Sequence, residues 1–198
     1  MNDESLSTSL ILASSSKYRK MLLHRFGIPF DCQSPATDET RHDNESPLEL
    51  VGRLAREKAG SVSRENPRAI VIGSDQIAIF ADQIIGKPGS HQAAMEQLLS
   101  FSGLNVDFLT AVSVQCLASG FNEQTIESTR VSFRHLQADE VNRYLEIEKP
   151  YDCAGAFKAE SLGITLFESI KSEDPTALIG LPLICTSAML RRAGLQLP

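Results

Sequence analysis

The sequence predicts an α/β or α+β protein in which helices pack against a mixed β-sheet. Short apolar runs such as Leu10–Ala13, typical of buried strands, alternate along the chain with longer segments whose apolar residues recur every three or four positions, typical of helices. This interleaving of the two patterns favours a sheet covered by helices. The chain has 198 residues, of which 42% are hydrophobic and 22% charged, so it has an ordinary globular composition and enough length for a sizeable core.

The first predicted unit is a strand, a serine turn and a helix. The apolar run 10–13 is followed by three serines at 14–16 and by a helical pattern over residues 18–26. Serine is a good N-cap, so this junction is expected to bring backbone donors and the positive end of a helix dipole to one point. Residues 34–47 are polar, contain two prolines and predict a loop, and a second helix is predicted from Pro47 to about residue 64.

A second buried strand is predicted over residues 69–73, with Asp75 just past its carboxyl end. The apolar residues 77–80 either continue this strand or pair with it, through a turn at residues 81–83. The later predictions are a helix over 91–101, strands over 106–117 and 127–133 joined by a turn near 119–120, a helix over 138–148, a strand over 164–170 and a helix over 183–192. Residues 1–8 are predicted to be a disordered leader and residues 9–198 a single domain, because no repeat or long linker interrupts them.

Composition and charge exclude several classes of protein. The formal net charge of −6 does not suit binding to a nucleic-acid polymer, which usually needs a basic face. The four cysteines are far apart and the four histidines have no ligand spacing, so reduced thiols are expected rather than zinc or a disulfide framework. The polar, acidic N-terminus does not resemble a signal peptide, and no apolar run approaches the roughly 18 residues that would span a bilayer. A cytoplasmic protein without a membrane partner is expected.

Two segments are the first candidates for chemistry. The serines at 14–16 leave room for a phosphate to approach the backbone, and Arg19 and Lys20 add positive charge. An arginine can grip phosphate with two parallel hydrogen bonds. The alternative is an ordinary N-cap with solvated cations on the first turn. Asp75 lies where open α/β sheets usually bind ligands, and it can hold a divalent metal or accept a proton from water. Its alternative is an Asx-turn that closes the strand.

Further candidates are weaker when each is taken alone. Lys87, between Gly86 and Pro88, is a compact cation for a phosphate, although an exposed turn lysine is more common. The charges of the segment 157–160 can face a ligand, whereas Lys58, Glu39 and Asp174 would by themselves be ordinary surface charges. No Walker P-loop, no G-x-G-x-x-G and no G-x-S-x-G occurs, so the common nucleotide-binding folds and serine hydrolases are poorly supported.

Taken together and in order, these segments resemble the Maf family of nucleoside triphosphate pyrophosphatases. The resemblance covers about residues 9–193. The matching stretches are Leu12-Ala-Ser-Ser-Ser-Lys-Tyr-Arg19, Asp38-Glu-Thr40, Leu54-Ala-Arg-Glu-Lys-Ala59, Ile72-Gly-Ser-Asp-Gln76, Gly86-Lys-Pro88, Thr110-Ala111, Tyr151-Asp-Cys-Ala-Gly155, Phe157-Lys-Ala-Glu160, Asp174-Pro175 and Ile179-Gly-Leu-Pro182. Each motif is short, but their ordered combination is specific.

The resemblance implies a fold, a reaction and a set of residues. The fold is an elongated mixed sheet flanked by helices, similar to that of the ITPases, with two lobes and a central cleft. The reaction is a cleavage between the α- and β-phosphates that depends on a divalent cation, Mg²⁺ or Mn²⁺, which also suits oxygen ligands and phosphate. By motif, Asp75 is the proton acceptor or a metal ligand with Glu39, and the phosphate-binding set is Ser14, Arg19, Lys58 and Lys87.

Three positions within the resemblance point to the substrate. Tyr18, Gln76 and Glu160 are similar to the 7-methyl-GTP branch of the family, whereas the dTTP/UTP branch would have arginine, threonine and glutamine there. An aromatic face attracts the positive charge of 7-methylguanine, and a carboxylate accepts hydrogen bonds from the N1–H and N2–H₂ edge of guanine. The chain departs from the family at Lys17, commonly proline, and at Ser161, commonly glycine, and it has Tyr18 where tryptophan is expected.

The leading hypothesis is therefore hydrolysis of 7-methyl-GTP to 7-methyl-GMP and pyrophosphate, which would keep modified nucleotides out of nucleic acids. One alternative is a dTTP/UTP pyrophosphatase. Another is a nucleotide-binding regulator of cell division or septation, which the family also suggests. The predicted partner is the nucleoside triphosphate, and a homodimer is expected by analogy alone.

Overall fold

The fold is organised around a mixed sheet of seven strands in a computed structural model that describes residues 9–197. The strands are β1 Leu10–Ala13, β2 Asp31–Cys32, β3 Ile70–Phe80, β4 Gln83–Ile85, β5 Asn105–Cys116, β6 Phe121–Phe133 and β7 Phe167–Lys171. The helices are α1 Lys17–Leu23, α2 Pro47–Glu65, α3 His91–Ser100, α4 Ala138–Glu148 and α5 Leu183–Arg192, with 3₁₀ turns at His24–Phe26, Leu117–Ser119, Leu162–Leu166 and Ala177–Ile179. The predicted mixed α/β class is confirmed. The predicted leader, residues 1–8, lies outside the described residues.

The pairing of β3 leaves a gap in one of its two edges. The strand order is β2-β1-β3-β5-β6-β7, with β1, β2 and β3 parallel and the later pairs antiparallel. One edge of β3 pairs with β5 from Val71 to Ile79. On the other edge β1 ends opposite Gly73, and the antiparallel hairpin strand β4 pairs only from Ala78 onwards, where its last residue Ile85 lies opposite Ala78. Residues 74–77 of β3 therefore lie between β1 and β4 at an opening in the sheet.

The helices cover the two faces of the sheet unequally. On one face α2 packs over β1 and β3, where Ala59 and Val62 contact Ile11 and Val71. The opposite face is covered at one end by α1 and α5 and at the other by α3 and α4, which form two separate cores. The first contains Leu12, Leu22, Ile72, Val112, Met189 and Leu190, and the second Leu98, Phe101, Phe108, Phe133, Tyr144 and Leu145. The two cores form the two predicted lobes, and the cleft opens between them.

The prediction that Asp75 follows the end of a strand is wrong. Asp75 lies inside β3, which continues for 11 residues because β5 pairs with it on both sides of that position. Of the two alternatives for residues 77–80, continuation of the strand is the correct one. Asp75 nevertheless lies just beyond the last residue that pairs with β1, so it keeps its position at the end of the parallel pair.

Other element boundaries differ where polar residues carry the backbone pairing. β6 starts at Phe121 rather than 127, because its polar first half pairs with β5 along its whole length. β7 starts at Phe167 rather than 164, because residues 162–166 form a 3₁₀ turn. The two-residue strand β2 was not predicted. The bounds predicted for α4 and α5 are confirmed. None of the helices in residues 9–197 is long and apolar enough to cross a membrane.

Candidate active site

A cleft of about 750 Å³ opens at the gap in β3. Its walls come from the β1–α1 turn, the loop before α2, the middle of β3, the segment after β4 and the segment between α4 and β7. The cleft lining contains all nine residues predicted from the sequence, which are Ser14, Tyr18, Arg19, Glu39, Lys58, Asp75, Gln76, Lys87 and Glu160. Residues up to 146 positions apart in the chain therefore meet at one opening in the sheet.

The β1–α1 turn combines the two interpretations of the serine segment. Ser16 caps α1, because its side chain accepts a hydrogen bond from the backbone N–H of Arg19 at 3.4 Å. Ser14 is almost fully buried, and its Oγ accepts from the backbone N–H of Ser16 at 3.1 Å. The turn is thus held by its own hydroxyl groups, and Ser14 lines the cleft at the amino-terminal end of the helix.

A buried lysine joins two carboxylates on the α2 face of the sheet. The Nζ of Lys58 lies 2.6 Å from Oδ1 of Asp75 and 2.5 Å from Oε1 of Glu39. The side chains of Lys58 and Asp75 are 8% and 11% exposed, whereas that of Glu39 is 63% exposed. The hydrogen bond from Lys58, with added attraction from Lys87 and Arg19, lowers the pKa of Glu39 below its usual value. The surface-charge interpretation of Lys58 and the Asx-turn interpretation of Asp75 are therefore wrong.

Gly73 explains how α2 comes close enough for this contact. A Cβ at Gly73 would lie 2.3 Å from the carbonyl oxygen of Ala55 and 2.4 Å from the amide nitrogen of Ala59. Both atoms belong to the backbone of α2, so a side chain at this position would push the helix away from β3. The absence of a side chain lets α2 lie directly on the strand two residues before Asp75 and next to Lys58.

The short segment around Gly180 holds α1 and β3 together from the other side. The carbonyl oxygen of Gly180 accepts hydrogen bonds from Nε of Arg19 at 2.9 Å and from Oγ of Ser74 at 3.0 Å. Burial lowers the pKa of Arg19 from its usual value, while the nearby charges of Asp75 and Glu39 oppose that change. The guanidinium is thus anchored at its Nε and lies close to the two carboxylates.

Gln76 lies on the opposite face of the sheet from Asp75, because successive side chains of a strand alternate. Its Nε2 donates to the carbonyl oxygens of Ala177 and Leu178 at 3.0 and 3.1 Å and to Oγ1 of Thr110 at 2.9 Å. Only the amide nitrogen can donate to carbonyl groups, so these contacts fix the orientation of the amide. Oε1 of Gln76 is the acceptor that this orientation leaves for a ligand.

Sequence reasoning missed the structural role of Asp174. Its side chain is buried and accepts from the N–H and Oγ1 of Thr176 at 2.8 and 2.6 Å and from the N–H of Ile184 at 2.7 Å. It therefore joins the turn Ala177–Ile179 to the first residues of α5, and the surface-charge interpretation is wrong. The signal available in the sequence was Asp-Pro-Thr, since an aspartate often accepts from the backbone two residues later.

The wall around Tyr18 is rich in charged groups. The Nζ of Lys17 lies over the Tyr18 ring, 5.0 Å from its centroid. The Sγ of Cys153 is 3.8 Å from the Tyr18 hydroxyl and 3.5 Å from Oδ1 of Asp152. Burial raises the pKa of Tyr18 above its usual value, and the charges of Asp152 and Glu160 add to the increase. The tyrosine therefore remains neutral and lies between one cation and two carboxylates.

The loop that carries Glu160 is attached to the end of α4. Oγ of Ser161 donates to Oε1 of Glu148, which also accepts from the N–H of Leu162 at 3.1 Å. Nζ of Lys158 lies 3.2 Å from Oε2 of the same glutamate. The hydrogen bond from Ser161 is the main reason why the pKa of Glu148 is below its usual value. The hydroxyl at 161, a departure from the family pattern, thus helps to hold this loop.

The charged side chains of the cleft, Lys87 and the carboxylates, can be compared with what the predicted divalent cation needs. Lys87 is exposed in the segment after β4 and lines the cleft, as both of its interpretations require. Among residues 9–197, no group of three or more histidine, cysteine, aspartate or glutamate side chains forms a metal site. The carboxylates that meet in the cleft are instead a pair, Asp75 and Glu39, bridged by Lys58. Such a set fits Mg²⁺ or Mn²⁺, because these ions are commonly held by one or two carboxylates together with substrate phosphates and water.

Comparison with known proteins shows to which family the chain belongs. The family described as Maf-like protein matches residues 9–193. The chain belongs to the Maf-like family. This Maf-like protein is 49% identical to the 7-methyl-GTP pyrophosphatase of Polaromonas sp., over 96% of this chain and 87% of that protein. It is 50% identical to the protein of the same name in Aromatoleum aromaticum, over 96% and 98% of the two chains.

A third relative and one solved structure are also similar to this chain. The 7-methyl-GTP pyrophosphatase of Alcanivorax borkumensis is 45% identical, over 96% of each chain. Among solved structures, the Staphylococcus aureus Ham1 protein is similar with a TM-score of 0.45 and 14% identity, over 64% of this chain and 72% of that chain. A likeness of that strength says nothing about activity. The predicted membership in the Maf family is confirmed by the family match and by the relatives.

Proposed function

We propose that this Maf-like protein hydrolyses 7-methyl-GTP to 7-methyl-GMP and pyrophosphate with the help of Mg²⁺ or Mn²⁺. The observation that carries the proposal is the arrangement of one cleft across both faces of the sheet. Asp75, Lys58 and Glu39 lie on the α2 face, and Gln76 lies on the other, beside the wall that contains Tyr18 and Glu160. The names of the relatives support the same substrate.

The cations of the cleft match the charge of a triphosphate. Arg19 keeps its two terminal nitrogens for a ligand, because its contact with Gly180 uses Nε. Lys87 adds a flexible positive charge from the segment after β4, and the hydroxyl and turn amides at Ser14 add hydrogen bonds at the amino-terminal end of α1. These groups offset the charge that grows on pyrophosphate as it leaves.

Asp75 is the proposed proton acceptor. A cation held by Asp75 and Glu39 would neutralise phosphate charge and make the attacking water more acidic. Lys58 donates to Oδ1 of Asp75 at 2.6 Å, so it orients the carboxylate in the cleft. The carboxylate takes the proton from water that attacks the α-phosphorus in line with the leaving pyrophosphate.

The base is recognised by the opposite face of β3. The side-chain oxygens of Gln76 and Glu160 are acceptors, and the Watson–Crick edge of a guanine supplies the matching donors N1–H and N2–H₂. The Tyr18 ring offers its face to the positively charged methylated ring. A pyrimidine lacks the paired donors, so this set of acceptors favours a guanine base over dTTP or UTP.

The test measures release of pyrophosphate from 7-methyl-GTP, GTP, dTTP and UTP with Mg²⁺ or Mn²⁺. We expect 7-methyl-GTP to have the highest kcat/KM, and Asp75→Asn to lower kcat by about 10²–10⁴-fold while the protein stays folded. Asp82→Asn is the matched control, because Asp82 is exposed in the β3–β4 turn with a φ of 61°, which asparagine tolerates. Faster cleavage of dTTP and UTP, or near-normal turnover by folded Asp75→Asn, would contradict the proposal.

The cellular setting is part of the proposal. We infer a cytoplasmic enzyme that removes modified nucleotides before they enter nucleic acids, acts on free nucleotides rather than on polymers, and needs no membrane. A homodimer and the division of the chain into a leader and one domain stay predictions. Sedimentation of the purified chain would establish the oligomeric state.

A further inference from the structure

The ammonium group of Lys17 lies over the ring of Tyr18, the side chain on which the methylated base stacks in the proposed function. Its Nζ lies 5.0 Å from the centroid of Tyr18, within the range of a cation–π contact. Lys17 is the first residue of α1, where the helix dipole disfavours a positive charge, and its side chain is exposed. Helix stability therefore does not explain a lysine at this position, whereas attraction to the ring does.

The surroundings of the ring favour a cation. The Sγ of Cys153 contacts both the Tyr18 hydroxyl and the carboxylate of Asp152, at 3.8 and 3.5 Å, so these two groups lie close together. Glu160 lines the same cleft. The aromatic face and the two carboxylates thus share one wall of the cleft, and the protein's own Lys17 places its ammonium over that face. Lys158 lines the same cleft, but its Nζ is paired with Glu148 at 3.2 Å.

We propose that Lys17 and Asp152 set the preference for a positively charged base in opposite directions. This inference rests on the proposed function and deepens it. The methylated base carries a positive charge that guanine lacks, so the ammonium of Lys17 repels 7-methyl-GTP more than GTP. Asp152 attracts the methylated base more than the unmodified one, because its charge acts on the same ring.

The sign of the Lys17 effect does not depend on which face of Tyr18 the base uses. A base on the face that Lys17 covers must displace the ammonium. A base on the opposite face would meet a ring whose negative potential is already partly balanced by the ammonium of Lys17. In both geometries, removal of the charge at position 17 favours the charged base over the neutral one.

The decisive variant is Lys17→Met, which keeps the length of the side chain and removes its charge. We expect the ratio of kcat/KM for 7-methyl-GTP to that for GTP to rise about two- to five-fold, the range of an exposed cation–π contact. Lys20→Met is the matched control, since Lys20 is also exposed on α1 but does not line the cleft. High salt should shrink the difference between Lys17→Met and wild type, because it screens exposed charges.

Asp152→Asn provides the opposite perturbation. We expect it to lower the same ratio about two-fold, with Asp82→Asn as the control for an exposed aspartate outside the cleft. An unchanged or lower ratio in Lys17→Met overturns the inference. An equal loss for both substrates also overturns it, because it would assign Lys17 to the triphosphate.

Binding measurements separate the inference from the proposed function. Calorimetric titration with 7-methyl-GMP and GMP in the absence of metal reports recognition of the base without catalysis. Should wild-type protein release no pyrophosphate while Lys17→Met strengthens binding of 7-methyl-GMP relative to GMP, the proposed reaction fails and the inference stands. The other outcome is that wild type prefers 7-methyl-GTP, but removal of the charge at position 17 changes neither the kcat/KM ratio nor the ratio of the two binding constants. In that case only the inference fails.

Discussion

Replacement of Gly73 by alanine is expected to separate α2 from β3 and thereby to disturb Asp75 without touching it. The added Cβ would lie 2.3 Å from the carbonyl oxygen of Ala55 and 2.4 Å from the amide of Ala59, whereas ordinary contacts are 3.4–4 Å. Neither atom can rotate away, because both belong to the helix backbone. The helix must therefore retreat by about 1 Å, a shift of the kind that overpacking of a core imposes.

The retreat of α2 is expected to lower the stability of the protein and, more strongly, its kcat. Overpacking of this kind destabilises by about 2 kcal/mol, which lowers the Tm of a chain of this length by about 4–8 °C. Lys58 moves with the helix, so its 2.6 Å contact with Asp75 opens. A misplacement of about 1 Å in a catalytic group lowers kcat by about 100-fold.

The assay compares thermal unfolding and pyrophosphate release from 7-methyl-GTP for Gly73→Ala and for a control on α2, the helix that Gly73 contacts. Gly60→Ala is that control, because a Cβ there meets Arg64 and Gln115 at an ordinary 3.5 Å. Gly60→Ala should keep its activity and gain up to about 1 kcal/mol, since alanine is the better helix former. A Gly73→Ala protein with wild-type Tm and kcat would refute the proposed role of the close helix–strand contact.

Three further predictions concern the loops that carry site residues. Ser161→Ala removes the hydrogen bond to the carboxylate at the end of α4, so the loop of Glu160 should loosen and the preference for 7-methyl-GTP over UTP should fall about two- to five-fold; an unchanged preference would exclude this anchoring role. Arg53→Met frees Glu45 and the loop of Glu39, so the Mn²⁺ concentration for half-maximal rate should rise about tenfold. The same pair predicts a pH effect, because hydrogen bonds from Arg53 lower the pKa of Glu45 from 4.5 to about 2. Since the pKa of Glu45 is lower in the folded state, its ion pair with Arg53 stabilises the fold fully above about pH 4.5, and this stabilisation is lost as the pH falls towards 2. An NMR titration in which the pKa of Glu45 stays near 4.5 would contradict this prediction.

Much of the fold was predictable because it depends on neighbours in the chain. The apolar run of β1, the cap at Ser16 and the bounds of α4 and α5 follow from spacing and capping preferences over a few residues. The polar half of β6 escaped prediction because its strand conformation comes from pairing with β5 and not from its own apolar pattern.

The candidate site residues were also named from the sequence, but their partners were not. Nothing local distinguishes Lys58 from the exposed lysines of a helix, and its burial comes from the close contact of α2 with Gly73. Asp174 likewise becomes a structural acceptor only when α5 begins beside it. Such contacts join residues that are far apart in the chain, and a sequence pattern carries no distance between them.

The sequence by itself determined that one chain contains a carboxylate, cations and the residues proposed to recognise the base, in an order similar to that of a family of pyrophosphatases. Only the tertiary structure decided how they divide between the faces of the sheet. Asp75 and Gln76 are adjacent in the chain, yet the pleat of β3 directs them to opposite faces, and the gap between β1 and β4 lets one cleft reach both. The physical reason is that alternation along a strand is local, whereas the position of a gap depends on which strands pair.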